Sequence, residues 1–249
     1  EKGVVRRSGS YEALYDTEPS HAHQLAELSG AAVCESAEEC IEKSDAVHIC
    51  TPPSSHLHYA RSAADAGKHL MIEKPIAIDT GEAEQIVEAV EQAGVVCMVG
   101  FNMRFRKSYM RLKELASDGS LGSVLNIWSQ RIGSLHWKGY NWRYDPKQMC
   151  GMSIESLSHD IDFIRWVAGE IVDVRATIVE SIPELKGFDD NANVVFSLSG
   201  NATACIHSSW SSPIRFNSRG IIGTDGTAFI EGPRLWDIKN IHWQCKTMP

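Results

Sequence analysis

The sequence predicts an α/β domain built on a doubly wound parallel sheet, followed by an α+β domain with a mostly antiparallel, open sheet. Two observations carry this. Over residues 11–101, short apolar strand-like runs alternate with helix-like segments, the pattern of parallel strands joined by right-handed helical crossovers and covered on both faces. After about Arg104 the pattern changes to strand-rich segments separated by hairpin turns. These domains are 1–104 and 105–249.

Each element has its own signal. Tyr11–Tyr15 reads as a strand ending at Asp16, and His21–Leu28 as a helix stopped by Gly30. Ser36 with Glu39 is a capping-box pattern that opens a short helix. Ala46–Cys50 is an apolar strand broken by Pro52-Pro53, and His56–Ala66 is helical with Gly67 beyond its end. Leu70–Ile72 is a strand, Thr80 caps the helix Glu82–Ala93 before Gly94, and Val95–Phe101 is a strand. Then come a helix Lys107–Ala116, a long strand Val124–Ser134, a polar aromatic loop, and one continuous helix Ile154–Val167 stopped by Gly169. Further strands are Val172–Glu180, Asn193–Leu198, Ala202–Trp210, Gly220–Ile222 and Thr227–Ile230, with turns at Ser199-Gly200-Asn201 and Asp225-Gly226.

The bulk numbers narrow the function classes. With 249 residues, 43% hydrophobic and 22% charged, the chain can bury a sizeable core. A formal net charge of −8 argues against a nucleic-acid surface, which needs clustered Lys and Arg. No apolar run approaches the roughly 20 residues of a membrane helix. Seven cysteines without a CxxC point to a reducing, cytoplasmic setting and away from disulfides or zinc.

Several side chains stand where chemistry is done. Asp16 ends a strand, where an acid accepts hydrogen bonds from an adenosine ribose and disfavours a 2′-phosphate; a turn or capping aspartate reads equally well. Thr51-Pro52-Pro53-Ser54-Ser55-His56 comes after a buried strand, at the end where open α/β sheets bind ligands, although a capped helix entry has the same sequence. Lys74 ends the apolar run Leu70–Ile72 after Glu73, and Pro75 restricts its backbone and fixes its direction; the alternative is a surface lysine paired with Glu73. Glu155, His159 and Asp162 are spaced i, i+4, i+7, one face of a helix. There a carboxylate can orient an imidazole and favour its protonated form; a solvated Glu–His pair competes, and a metal set lacks a second His or Cys cluster. Asn102 with Arg104, and Trp142 with Arg143, place donors beside aromatic surface, as a sugar or polyol site would; a domain-linker contact for the first and a packed loop for the second are the alternatives.

In this order and at these separations the motifs resemble the glucose–fructose oxidoreductase, inositol dehydrogenase and MocA (Gfo/Idh/MocA) family over nearly the whole chain. The residues concerned are Asp16, Thr51-Pro52-Pro53 with His56, Glu73-Lys74-Pro75, Gly100-Phe101-Asn102 with Arg104, Trp142-Arg143, and Glu155 with His159 and Asp162. The resemblance implies a Rossmann-like domain, then an α+β domain whose open sheet makes homo-oligomer contacts. It implies hydride transfer between a secondary alcohol of a sugar or cyclic polyol and NAD, with NADP disfavoured by Asp16. Lys74 and His159 become the catalytic pair, supported by Glu155. Thr51, Pro52, Pro53, His56, Glu73, Lys74 and Asn102 fall on cofactor-lining positions, and Arg104, Trp142 and Arg143 join Lys74, Glu155 and His159 at the substrate. A sensing regulator on the same fold and an NAD-dependent glycosidase are the alternatives. The chain departs from the family in three ways. Residues 1–10 hold only Gly3 and Gly9 in place of a strand and GxGxxG turn, so the first βα unit is expected to be missing. Cys150-Gly151 stands where paired glycines are frequent, and Glu155 where aspartate is commoner. The chain also stops early for the family, so a fragment at both ends is expected.

Overall fold

The computed structural model describes residues 10–134, 145, 147–148, 150–183, 187–234, 238 and 240–246. The chain divides into two compact units, Glu1–Gly100 and Phe101–Pro249.

In the first unit, β1 (Ala13–Leu14) and β2 (Ala32–Val33) pair in parallel around α1 (Pro19–Ser29). Pro19 at the first helical position and the Glu18 side chain, which accepts from Ser20 N, start α1; Gly30, at φ 76°, ends it. In α2 (Ala37–Glu42) the Ser36 hydroxyl accepts from Glu39 N at 3.1 Å, and Glu39 reaches back to Glu35 N at 2.9 Å. The capping box thus forms with its return bond one residue earlier than the usual pattern. A second parallel sheet runs β3 (Ala46–Ile49), β4 (His69–Ile72), β5 (Cys97–Val99), with β4 central. The crossovers are α3 (His56–Asp65) and α4 (Thr80–Ala93). Asp79, rather than Thr80, caps α4, accepting from Glu82 N at 2.8 Å; its carboxylate sits one residue earlier, where it reaches the free amide. Ala60, Ala63 and Ala64 on α3 are small enough to bring the helix close to Ile49, Leu70 and Ile72, and Ile41 and Ile86 complete this core. Each of these isoleucines and leucines contributes about 1.5–3 kcal/mol by leaving water.

The second unit is built on a seven-stranded sheet ordered β12-β11-β10-β6-β9-β8-β7. The strands are β6 (Val124–Ser134), β7 (Ile171–Val179), β8 (Asn191–Leu198), β9 (Thr203–Ser209), β10 (Ser211–Gly223), β11 (Gly226–Gly232) and β12 (Ile241–Cys245). Every neighbouring pair is antiparallel except β6–β9. Helices α5 (Lys107–Ser117), α6 (Gly151–Glu155) and α7 (Ser158–Ala168) supply the other layer. Period-two alternation along β8 buries Ala192, Val194, Phe196 and Leu198 in one core with Tyr109, Leu112, Leu115, Leu157, Phe163 and Ile164. β10 begins nine residues before the expected Gly220, and β2 and β12 had no sequence expectation. The start of β10 carries polar and exposed side chains, so its alternation is weak.

The predicted continuous helix Ile154–Val167 is two helices. Ser156 and Leu157 both donate to the Met152 carbonyl, at 2.8 and 3.1 Å, and Asp160 and Ile161 both donate to Leu157 O, at 2.9 and 2.8 Å. A bond from Leu157 to a carbonyl five residues back is a π-type turn. Ile154, at the start of the predicted helix, is 41% exposed.

One fully buried ion pair lies at residues that the motifs did not mark. Asp160 and Arg219 are both fully buried. Arg219 Nε donates to Asp160 Oδ1 at 2.9 Å and to Ser129 Oγ at 3.0 Å, Nη2 also meets Asp160, and Nη1 meets the Tyr109 hydroxyl. Arg131 Nη1 lies 3.5 Å from Asp160 Oδ2. Burial by itself pushes the Asp160 carboxyl up, but Arg219, Arg131 and the Ser129 hydroxyl outweigh it, and the group titrates below its usual range.

Replacing Asp160 with Ala leaves a buried guanidinium without its counter-charge, and the expected loss is about 3–5 kcal/mol. A urea titration checks it, as a lower midpoint with an unchanged slope. Because the folded-state value of Asp160 lies below the unfolded value of about 3.9, its contribution is complete above roughly pH 4 and is lost as pH falls through the lower folded value. Asp160→Asn should therefore flatten the acid limb of the stability–pH curve.

Candidate functional site

In the first unit the register decides where chemistry can occur. Ile49 pairs with Ile72, and Ile72 with Val99, so the three carboxyl ends lie side by side. Open α/β sheets bind ligands at these ends. Leading out of the three strands are residues 50–56, Glu73-Lys74-Pro75 and Gly100. The ladder continues one step, with Glu73 N donating to Ile49 O at 3.0 Å and Gly100 N to Ile72 O at 2.7 Å. Gly100 is needed for closeness: a Cβ there would stand 3.0 Å from Glu73 Oε2. The Glu73 carboxylate also lies 3.8 Å from His48 Nε2.

His56 is fully buried. Its Nε2 is 2.9 Å from Thr51 O, and its Nδ1 is 3.0 Å from Pro75 O and 3.2 Å from Ile76 O. Both nitrogens are engaged by backbone, so the part His56 plays is to tie the Thr51 loop to the segment carrying Lys74, whose bond to Pro75 is cis. Ser55 Oγ lies 2.7 Å from Thr51 Oγ1 and 2.9 Å from Pro52 O, and Pro53 is buried beneath. Asp16 does turn work with one oxygen, accepting from Glu18 N at 2.8 Å, and stands 3.7 Å from His21 Nδ1.

The second unit holds the other candidates. Glu155, His159 and Asp162 are 8%, 6% and 8% exposed, which excludes a solvated face. The π-type turn puts Glu155 on α6 and His159 and Asp162 on α7, so the simple i, i+4 relation does not hold. Glu155 Oε2 accepts from the Ser156 hydroxyl at 2.8 Å, and the Phe101 ring meets His159 edge-on with centroids 6.3 Å apart. Arg104 grips Asp162 with two bonds, Nε to Oδ2 at 2.9 Å and Nη2 to Oδ1 at 2.6 Å, and its guanidinium lies 5.6 Å from the Trp166 ring centroid. Asp162 holds the Arg104 guanidinium above its usual range. The grip fixes the short 3₁₀ turn Asn102–Phe105 to α7 and leaves Asn102 exposed.

Gly151 accounts for the surviving glycine of the Cys150-Gly151 pair. It sits at φ 74°, and a Cβ would stand 2.2 Å from Asp189 Oδ1. Asp189 caps α6, accepting from Ser153 N at 2.7 Å and Ser153 Oγ at 3.1 Å. Burial pushes the Asp189 carboxyl up, against these bonds. Trp142 and Arg143 lie outside the described residues.

A parallel-sheet unit with motif-bearing strand ends, followed by an open mixed sheet that carries a buried Glu–His–Asp set, defines a two-unit protein of the Rossmann-plus-open-sheet class. The chain belongs to the Gfo/Idh/MocA family: residues 5–101 match the model described as "Oxidoreductase family, NAD-binding Rossmann fold", and residues 109–229 match the GFO/IDH/MocA C-terminal domain. It is 29% identical to scyllo-inositol 2-dehydrogenase (NAD(+)) of Bacillus subtilis over 197 residues, 75% of this chain and 55% of that protein. It is 26% identical to myo-inositol 2-dehydrogenase of Thermotoga maritima over 205 residues, 76% of this chain and 57% of that protein. The chain thus spans little more than half the length of these relatives. Its fold is shared with the WlbA dehydrogenase of Bordetella pertussis, solved with NADH and UDP-GlcNAcA, at a TM-score of 0.86 and 21% identity, covering 96% of this chain and 70% of that one. Among the described residues, no helix is long and apolar enough to cross a membrane.

Replacing His56 with Ala leaves a buried backbone carbonyl, that of Thr51 or of Pro75, without its donor, an expected cost of about 1–3 kcal/mol for the unmet group. Thermal unfolding checks it, as a lower Tm with unchanged far-ultraviolet circular dichroism on the folded baseline.

Proposed function

We propose that the protein is an NAD-dependent oxidoreductase that transfers a hydride between a secondary alcohol of a sugar or cyclic polyol and nicotinamide. The observation that carries this reading is Lys74, set at the carboxyl end of the central strand β4, on one of the two loops that His56 holds together. The names of the inositol dehydrogenase relatives agree with it.

The residues fit a dinucleotide. Aligned strand ends, a glycine that admits the Glu73 carboxylate, and an acid after β1 are what a nicotinamide ribose and an adenosine ribose would meet. Thr51, Pro52, Pro53, Glu73, Lys74 and Asn102 would line this site, and Asp16 favours NAD over NADP. Bound NAD would supply the hydride acceptor; the chain supplies the proton chemistry. His159 is the general acid/base, taking the proton of the alcohol as it is oxidised. Lys74 shares that transfer or stabilises the developing alkoxide. Glu155 supports the imidazole, and its burial strengthens that interaction. Asn102 and Arg143 hold substrate hydroxyls, Trp142 offers apolar surface, and Arg104, fixed on Asp162, shapes the wall. A cytoplasmic setting suits the free cysteines. The exposed sheet face with Val195, Phe216 and Ile222 suits a homo-oligomer contact.

Lys74→Ala is expected to lower turnover of myo-inositol or a hexose by about 10²–10⁴-fold, while NADH binding, followed by energy transfer from tryptophan, is retained. Undiminished turnover would remove Lys74 from the reaction. NADH binding by the parent protein without turnover on any polyol or sugar would instead favour a sensing regulator.

A further inference from the structure

We infer that Arg131 is the positioning residue for His159, an inference that rests on the reading of His159 as the proton-handling group. Its basis is the π-type turn between α6 and α7. In an unbroken helix the Ser156 carbonyl would accept from Asp160 N. Here Asp160 N bonds to Leu157 O instead, at 2.9 Å, so the turn releases the Ser156 carbonyl from the helix ladder. Arg131 takes the place of the lost donor: its Nη1 donates to Ser156 O at 2.7 Å.

The distances separate two possible roles for this guanidinium. Its approach to Asp160 Oδ2 is 3.5 Å, well beyond the 2.7 Å to the carbonyl. Asp160 also has its own partner in the fully buried Arg219. Arg131 thus adds to the positive charge around Asp160 from 3.5 Å, while its hydrogen bond goes to the backbone break. Its own strand is tied to α6 by Ser208 Oγ, which donates to Arg131 O at 3.1 Å and lies 3.3 Å from the buried Met152 Sδ.

The break matters because it sets the angle between Glu155 and His159. One residue gained or lost in a helix turns everything beyond it by roughly 100°. A helix that relaxed to regular geometry would rotate the imidazole relative to the carboxylate that supports it. A donor held on β6 keeps the irregular geometry, and π-type turns of this kind recur at functional sites.

The test compares Arg131→Met and Arg131→Lys in the full chain, with two readouts. The first is the imidazole Cε1–H resonance of His159, assigned with a His159→Asn variant. Arg131→Met is expected to displace it, and Arg131→Lys, which keeps a donor for the carbonyl, to restore it. The second is steady-state kinetics with myo-inositol and NAD: kcat falls by about a hundredfold in Arg131→Met, NADH affinity holds, and Arg131→Lys recovers most of the loss. A wild-type His159 resonance in folded Arg131→Met would overturn the inference and leave Arg131 as a strut of the sheet. If the parent protein turns over no polyol, the proposed function fails while the resonance still decides the positioning. Should Arg131→Met not fold, Arg131→Gln decides: it keeps a donor and drops the charge, so an unmoved resonance supports the carbonyl contact and a displaced one overturns it.

Discussion

The second unit depends on burying Asp160 and Arg219 together. Either charge alone in that interior would be prohibitive. The pair is tolerated because Arg219 reaches Asp160, Ser129 and Tyr109, while Asp160 Oδ1 takes hydrogen bonds from Arg219 and Ser129 and the Arg131 charge lies 3.5 Å from Oδ2. These partners come from α5, β6, α7 and β10, so forming the pair requires the helix layer and the sheet centre to be in place at once. That requirement fixes the roll of α7, and with it the direction of His159, the residue before Asp160. The buried pair sets where the helix lies; the π-type turn sets how Glu155 relates to it.

Among the described residues, the first unit solves its positioning problem without a buried carboxylate, lysine or arginine. Parallel register aligns three strand ends, and backbone carbonyls do the remaining work through His56. Glycine at position 100 permits a carboxylate to lie against the chain, where any side chain would push it away. Loops joined in this way carry Lys74 on a backbone tied through His56 to the Thr51 loop.

How much of this was legible in the sequence depends on how local each feature is. Caps and stops were: Ser36 with Glu39, Gly30, Gly67 and Gly94 act within one turn, so their signals sit within a few residues. The candidate site residues Lys74, before Pro75, and Glu155, His159 and Asp162 stand out in the sequence as charge among apolar neighbours. The helix break at Ser156-Leu157 was not legible, because no glycine or proline marks it. The groups that bond to the backbone on either side of it are distant in sequence: Arg131, on a strand 25 residues before Ser156, donates to the Ser156 carbonyl, and Asp189, beyond α7, accepts from Ser153 N. Arg219 was hidden for the same reason: an arginine in an ordinary strand pattern says nothing until Asp160 is opposite. His56 was placed at the cofactor loop, but its role as a tie depends on the Pro75 carbonyl 19 positions away.

The place of β6 in the sheet has a consequence for how the second unit folds. The runs β7-β8-β9 and β10-β11-β12 are meanders of strands adjacent in sequence. β6 lies between them, and its contacts reach across 77 residues to Thr203 on one side and 90 residues to Arg219 on the other. Closing long loops costs entropy before pairing repays it. The strand that carries Arg131 and Ser129 is therefore the one whose docking sets the folding rate, and until it docks each meander keeps an open edge able to pair with another chain. The strand that organises the second unit is also the step at which that unit is most exposed to aggregation.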